Sequence, residues 1–249
     1  MSQNIFDNEA FFNGYQALRK QKSYNDLLEQ PAMRALLPDV KGKTVLDIGC
    51  GCGHNCLQFA KDGASAVIGI DISEKMLAVA KRENSHPRIC YRRMDMEDLA
   101  ALSQTFDLVY SSLAFHYAKN FQTLIQDIYR LLKGGGYLLY SQEHPIITAT
   151  MDCMGHFLKD DDGHHSAYVF SDYAKSGKRV GTWFVDGVEN YHRPMGEIVT
   201  TIAHAGFVIQ DLVEPLPEPW AVCERPDLQK EWIRPNFLIV KARKTLNTG

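Results

Sequence analysis

The sequence predicts a doubly wound α/β domain with a mainly parallel sheet, and three observations predict it. Short apolar runs of strand length alternate with helical stretches from about residue 43 to residue 141. Three glycines, Gly49, Gly51 and Gly53, sit where the first apolar run hands over to a helix. An acidic residue, Asp71, closes the second apolar run. Strands that alternate with helices in this way require right-handed crossovers and a sheet covered on both faces.

Ahead of this alternation, residues 9–20 and 24–37 read as helices. In the first, Phe11, Phe12, Tyr15 and Leu18 are spaced to share one face. In the second, Pro31 can start a turn and Pro38 ends the stretch. The first strand is expected at 43–48 and its following helix at 55–61, the second strand at 66–70. Ser73 is the expected N-cap of a helix with Met76, Leu77 and Ala80 on one side. A weaker strand is expected at 88–92 and a clear one at 106–110. In the helix expected at 121–132, Phe121, Leu124, Ile125, Ile128 and Leu132 recur as a buried stripe. Gly134 to Gly136 are expected to terminate it, and a fifth strand to follow at 137–141.

From 145 to 193 the rhythm breaks into a polar segment, with strands expected at 167–173 and 180–185 and a hairpin turn at Ser176 and Gly177. It resumes with a helix at 195–205, a strand at 207–213, a proline-rich loop at 214–220 and a last strand at 237–242.

A chain of 249 residues suits one well-buried domain with insertions rather than two with full cores. A net charge of -3 leaves no excess positive field for a phosphate backbone, which disfavours a nucleic-acid substrate. The first twelve residues lack the cationic start and apolar core of a secretory signal. No apolar run approaches the ~18 residues of a membrane span. A soluble, cytoplasmic protein is therefore expected, as a monomer or homodimer between which the sequence does not choose. The scattered cysteines, Cys50, Cys52, Cys56, Cys90, Cys153 and Cys223, read as reduced thiols rather than a disulfide framework.

The chemistry begins at the glycine cluster, because ligands of doubly wound folds bind at the carboxyl ends of the strands. Glycine permits the tight turn and lets a ligand approach the backbone. Asp71 lies 24 residues after Asp47, where a carboxylate can accept both hydroxyl hydrogens of a ribose, so an adenosine cofactor is implied. A dinucleotide fingerprint read from Gly49 would need glycine at His54, and read from Gly51 would need it at Cys56. That counts against a nicotinamide oxidoreductase. The spacing found suits a ligand without a pyrophosphate, with Asp47 close to the amino group of a methionine moiety.

With these stretches the sequence resembles the class I S-adenosylmethionine (SAM)-dependent methyltransferases of the small-molecule group. The matching segments are 45–53, 69–73, Asp95, 106–112 and 131–137, in the family's order. The resemblance implies a Rossmann-like, seven-stranded sheet whose last strand runs antiparallel. It implies SAM as cofactor, S-adenosylhomocysteine as product and a small-molecule acceptor. It also implies roles by position: Asp47, Gly49, Cys50 and Gly51 at the methionine end, with Ser111 lining that side. Asp71 falls on the ribose, Ile72 and Met76 against adenine, and Asp95 and Met96 at the adenine edge. The single domain then divides into an N-terminal helical lid at 1–40, a SAM-binding core at 41–144, an inserted substrate cap at 145–193, and a C-terminal helix and strands at 194–249.

For the acceptor side, His116 after the fourth strand and His192, within Tyr191 to Pro194, are the candidate general bases. Each has a structural reading beside the catalytic one, as a packed or capping histidine. Glu143 and His144 after the fifth strand are similarly placed, and Tyr15, Arg19 and Tyr24 can belong to a lid. The Cys50, Cys52 and Cys56 spacing is not that of an iron-sulfur site, and the run from Asp160 to His165 reads as a solvated acidic turn, so no metal is expected. A SAM-binding protein without transferase activity is the alternative the motif leaves open.

Overall fold

The computed structural model describes residues 2–19, 22–153 and 155–246. The chain opens with α1 (Glu9–Arg19); Lys20, the expected end of this helix, lies outside the described residues. A π-helical turn (Asn25–Glu29) runs into α2 (Gln30–Leu36), with Pro31 in the first turn of α2. The core follows as β1 (Thr44–Ile48), α3 (His54–Lys61), β2 (Ala66–Asp71), α4 (Glu74–Glu83), β3 (Ile89–Arg93), β4 (Phe106–Ser111), α5 (Phe121–Leu131) and β5 (Leu132–Glu143). After a short α6 (Pro145–Thr148) come β6 (His156–Lys159), β7 (His165–Val169), β8 (Gly177–Trp183) and β9 (Val185–His192). The chain closes with α7 (Met195–His204), β10 (Phe207–Val213), α8 (Pro219–Glu224) and β11 (Phe237–Lys244).

Seven strands form one sheet in the order β10-β11-β5-β4-β1-β2-β3. The pairs among β1 to β5 are parallel, whereas β11 runs antiparallel to both its neighbours, β5 and β10. The near-continuous apolar runs have a direct cause, since alternate residues enter opposite layers. Leu46, Ile48, Ile68 and Ile70 pack on one face with the α5 stripe of Leu124, Ile125 and Ile128. Val45, Val67, Leu108 and Tyr110 pack on the other with Met33 of α2 and Phe59 of α3. Strand order reverses between β1 and β4, which places the switch point at the carboxyl end of β1. Among the described residues no helix is long and apolar enough to cross a membrane.

Three expectations are corrected here. The glycines at 134–136 do not end α5, which stops at Leu131 when Leu132 turns extended. They lie inside β5, looped out between the Phe106–Leu132 and Leu108–Tyr137 pairs. Ser176 and Gly177 do not close a hairpin between the two expected strands. Instead β6 pairs with β7, and β8 pairs with β9 across Phe184 at a φ of 59°. Packing decides this pairing: Phe184 and Trp183 stack on each other and set their rings edge-on to Phe11 of α1. Gly14 makes the approach feasible, for a Cβ there would lie 2.7 Å from the Phe184 ring. Finally, the proline-rich loop expected at 214–220 gives way at Pro219 to α8, and a 3-10 stretch follows at Pro226–Trp232.

Candidate functional site

At the switch point the glycine loop is tied to the end of β2. The N–H groups of Gly49 and Cys50 donate to the Ile70 carbonyl at 2.9 and 3.0 Å. The Gly51 N–H donates to Asp71 Oδ2 at 2.8 Å, and the Ser73 N–H donates to Asp71 Oδ1 at the same distance. Asp71 therefore sets the loop and the start of α4 with one carboxylate. Burial pushes it up to about 6, against the pull of those N–H donors. Gly49 and Gly51 take φ values of 70° and 51°, which favour glycine. Their surroundings differ: a Cβ on Gly49 would lie 2.6 Å from the Ala114 methyl, while one on Gly51 would meet nothing within 4 Å. The open side of Gly51 faces a cavity of about 1070 Å³.

At one end the cavity is walled by Ile72, Met76, Met96 and Asp95. The Asp95 carboxylate accepts from the Ser2 N–H and hydroxyl at 3.0 and 2.9 Å and from the Glu97 N–H at 3.1 Å. The N-terminal segment thus reaches across the rim, and Asp7 continues the attachment by accepting from the Ser73 hydroxyl at 2.6 Å. Tyr15, Arg19, Tyr117, Glu143, Trp183 and Phe237 line the cavity as well, with Tyr15 packed in the same cluster as Met76 and Phe237 opposite Glu143 in the β5–β11 register. Small-molecule sites span roughly 300–1000 Å³, so this volume has room for a nucleoside cofactor and a second small ligand.

Of the residues singled out from sequence, Gly49, Cys50, Gly51, Asp71, Ile72, Met76, Asp95, Met96 and His116 line this cavity. Asp47, Ser111 and His192 are not brought to it. Asp47 is buried behind the loop, where the Cys56 thiol donates to Oδ2 at 3.2 Å and burial pushes the carboxyl up to about 7. The Ser111 hydroxyl is spent on the Ile48 carbonyl at 2.8 Å. His192 is fully buried, with Nε2 on the Tyr173 carbonyl at 2.8 Å and Nδ1 on the Thr148 hydroxyl at 2.9 Å. A carbonyl only accepts, so Nε2 carries the proton and both nitrogens are engaged. His192→Ala is expected to cost about 1–3 kcal/mol of stability through the orphaned groups and to leave turnover of the folded fraction within about twofold. Urea titration together with turnover measurement checks this, and a rate loss of ~10²-fold at unchanged stability would restore a catalytic role.

His116 reaches the cavity in the role of a donor. Its Nδ1 accepts from the Glu143 N–H at 3.4 Å, which leaves the proton on Nε2. Burial, assisted by the Arg193 charge, pulls it down to about 3, so the neutral ring is too weak a base for neutral pH. Glu143 is the stronger base beside it, pushed up to about 7 by burial with the Arg234 charge opposing.

Sequence reading missed a buried carboxylate that fixes the rim. Glu29, in the π-helical turn, accepts from Ser112 and Ser141 hydroxyls at 2.8 and 2.5 Å through Oε1, and from Gln30 at 2.8 Å through Oε2. It pins the N-terminal helices to the ends of β4 and β5. Leu113, next to Ser112, adopts a φ of 53°, which few residues without a special role accept. That bend sends Ala114 against Gly49. A π-turn is a known mark of functional sites, but it has no sequence signature here.

A family model described as a methyltransferase domain matches residues 46–140. The fold is similar to that of an S-adenosylmethionine-dependent methyltransferase from Mesorhizobium loti, with a TM-score of 0.80 and 37% identity, covering 86% of this chain and 97% of that one. A protein of Haemophilus influenzae described as uncharacterized is 37% identical over 252 residues, covering 97% of each chain. A malonyl-[acyl-carrier protein] O-methyltransferase of Enterobacter lignolyticus is 34% identical over 122 residues, covering 48% of this chain and 47% of that one.

Proposed function

The chain belongs to the S-adenosylmethionine-dependent methyltransferases, and from that premise we propose that it methylates a small molecule held at the Glu143 end of the cavity. The single observation that carries this reading is the cavity itself. Its glycine-loop end is open where a Cβ on Gly51 would stand, and its volume of about 1070 Å³ continues past that point to an aromatic and acidic wall.

The residues present fit SAM. The carboxylate of Asp71 suits the ribose hydroxyls, Ile72 and Met76 suit the faces of adenine, and Asp95 and Met96 its edge. The backbone at Gly49, Cys50 and Gly51 borders the methionine moiety. Arg19, whose guanidinium lies 3.7 Å from Asp26 and lines the cavity, is a counter-charge for the methionine carboxylate. When bound, SAM supplies an activated methyl group: the acceptor's lone pair forms the bond to carbon as the carbon-sulfur pair stays on sulfur, giving S-adenosylhomocysteine.

The protein's own work is proximity and orientation, because a sulfonium leaves without an acid. Residues 1–40 serve as a lid and 145–193 as a substrate cap over the carboxyl ends of the strands, with the cytoplasm as the site of action. Two measurements test the proposal together. SAM at a hundredfold excess over its dissociation constant is expected to stabilise the protein by ~2.7 kcal/mol, and labelled SAM should transfer its methyl group to a component of a metabolite extract. SAM binding without transfer to any component would favour a regulatory protein instead.

A further inference from the structure

We propose that the acceptor is a small amine, bound as an ammonium ion between Glu143 and the aromatic wall of the cavity, and that Glu143 takes its proton. The inference rests on the methyltransferase reading and names the substrate class of that same site.

The carboxylate of Glu143 has no cationic partner within ion-pair distance among the described residues. Glu143 Oε2 accepts from Asn190 Nδ2 at 3.1 Å, and among the described residues Oε1 has no hydrogen-bond partner. Asn190 Oδ1, buried beside it, also has none. The ionised form of Glu143 accepts only, and it is this form that orients the Asn190 amide with Nδ2 toward it. No lysine, arginine or histidine among the described residues pairs with Glu143. The neighbouring guanidinium, Arg234, is directed elsewhere, toward Asn236 and over the rings of Phe157 and Tyr168. His116 is neutral and Tyr117 is held protonated by burial, so neither supplies a positive charge.

A half-buried carboxylate with one hydrogen bond and no ion pair carries a desolvation cost, and a cationic ligand offsets it. The same cavity is lined by Tyr15, Tyr117, Trp183 and Phe237, of which Phe237 lies opposite Glu143 in the β5–β11 register and Tyr117 faces it. Aromatic faces attract ammonium groups and give nothing comparable to a carboxylate or phosphate, which Glu143 would repel. A hydroxyl acceptor would bring one donor to this wall, whereas a primary ammonium brings three. Proton transfer balances simply: the N–H proton passes to the Glu143 carboxylate and its electron pair stays on nitrogen as the nucleophilic lone pair. Burial holds Glu143 above the usual carboxylate range, at about 7 in the ligand-free protein, which makes it a better proton acceptor than an exposed carboxylate.

The test uses three probes on one phenyl frame, benzylamine, benzyl alcohol and benzoate, titrated calorimetrically into the full-length protein saturated with S-adenosylhomocysteine. Benzylamine is expected to bind at least tenfold more tightly than the other two. Glu143→Gln should abolish that preference with S-adenosylhomocysteine affinity within about twofold of the parent, and Glu143→Asp should restore part of it, which shows that charge rather than folding is responsible. In parallel, labelled methyl transfer to a panel of primary and secondary amines should exceed transfer to matched alcohols. Absence of amine binding, equal binding of the three probes, or a preference retained in Glu143→Gln overturns the inference. Failure of S-adenosylhomocysteine to bind overturns instead the reading on which it rests.

Discussion

Gly51→Val is expected to raise the dissociation constant for SAM at least 100-fold while the protein remains folded. Two physical effects separate here. At a φ of 51° a β-branched residue is strained, by ~1–2 kcal/mol or somewhat more. Within the protein, however, the new side chain finds open space, since a Cβ at this position has no heavy atom within 4 Å. The cofactor-free variant should therefore lose only the strain energy. The space it fills is the side of the loop assigned to the methionine moiety, so the steric penalty falls on the ligand. In a thermal-shift titration the parent should gain ~2.7 kcal/mol at a hundredfold excess of SAM over its own dissociation constant, and the variant almost nothing at that concentration. Gly49→Ala is the contrasting control: its Cβ would lie 2.6 Å from the Ala114 methyl, so it should damage the loop before any ligand arrives. A Gly51→Val protein that keeps the full SAM shift would remove the loop from the binding site.

The glycine-loop side of the cavity was legible because it is local. Gly49, Gly51 and Asp71 lie at the ends of two adjacent parallel strands, and strand ends are visible as apolar runs that stop at glycine or an acid. The proposed acceptor half draws on Tyr15, Tyr117, Glu143, Trp183 and Phe237, contributed by five distant parts of the chain. No spacing rule joins them. Trp183 reaches the cavity because the β8-β9 hairpin tip packs on Phe11 and Gly14, an arrangement that also overrode the turn expected at Ser176 and Gly177. His192 shows the converse failure. Its neighbours looked like an acceptor motif, yet Arg193 spends its guanidinium on the carbonyls of Ala118 and Lys119, and His192 ties Thr148 to Tyr173. Polar residues next to a strand end serve a buried join as readily as a reaction. The glycines at 134–136 carry the same ambiguity, since a helix stop and a bulge inside a strand use the same conformational freedom.

Asp71 joins binding to stability, and its substitution is expected to move the two in opposite directions. Its carboxylate holds the Gly51 and Ser73 N–H groups and is assigned the two ribose hydroxyls. Hydrogen bonds to a charged group contribute about 1.5–3 kcal/mol each, so Asp71→Ala should weaken SAM binding by roughly 100-fold or more. Asp71→Asn keeps the shape but gives up one acceptor and the charge, and should fall between Asp71→Ala and the parent. The sign of the pH effect follows from burial, which raises Asp71 from 3.8 to about 6 in the folded protein. A raised carboxyl pKa means that the folded state holds the proton more tightly than the unfolded state. The stability it contributes is present below the unfolded value and is lost as pH rises through about 6. Relative to the parent, cofactor-free Asp71→Asn should therefore gain on the order of 1–3 kcal/mol between pH 5 and pH 8. SAM binding has the reverse dependence, because the ribose hydroxyls need the ionised carboxylate. Parental affinity should be level above about pH 7 and fall by up to about tenfold per unit below pH 6, whereas Asp71→Asn should show no such fall. Calorimetric titration at pH 5, 6, 7 and 8 measures the binding profile, and urea denaturation at the same pH values measures stability. Equal SAM affinity for Asp71→Ala and the parent, or a parental affinity unchanged down to pH 5, would take Asp71 out of the ribose site.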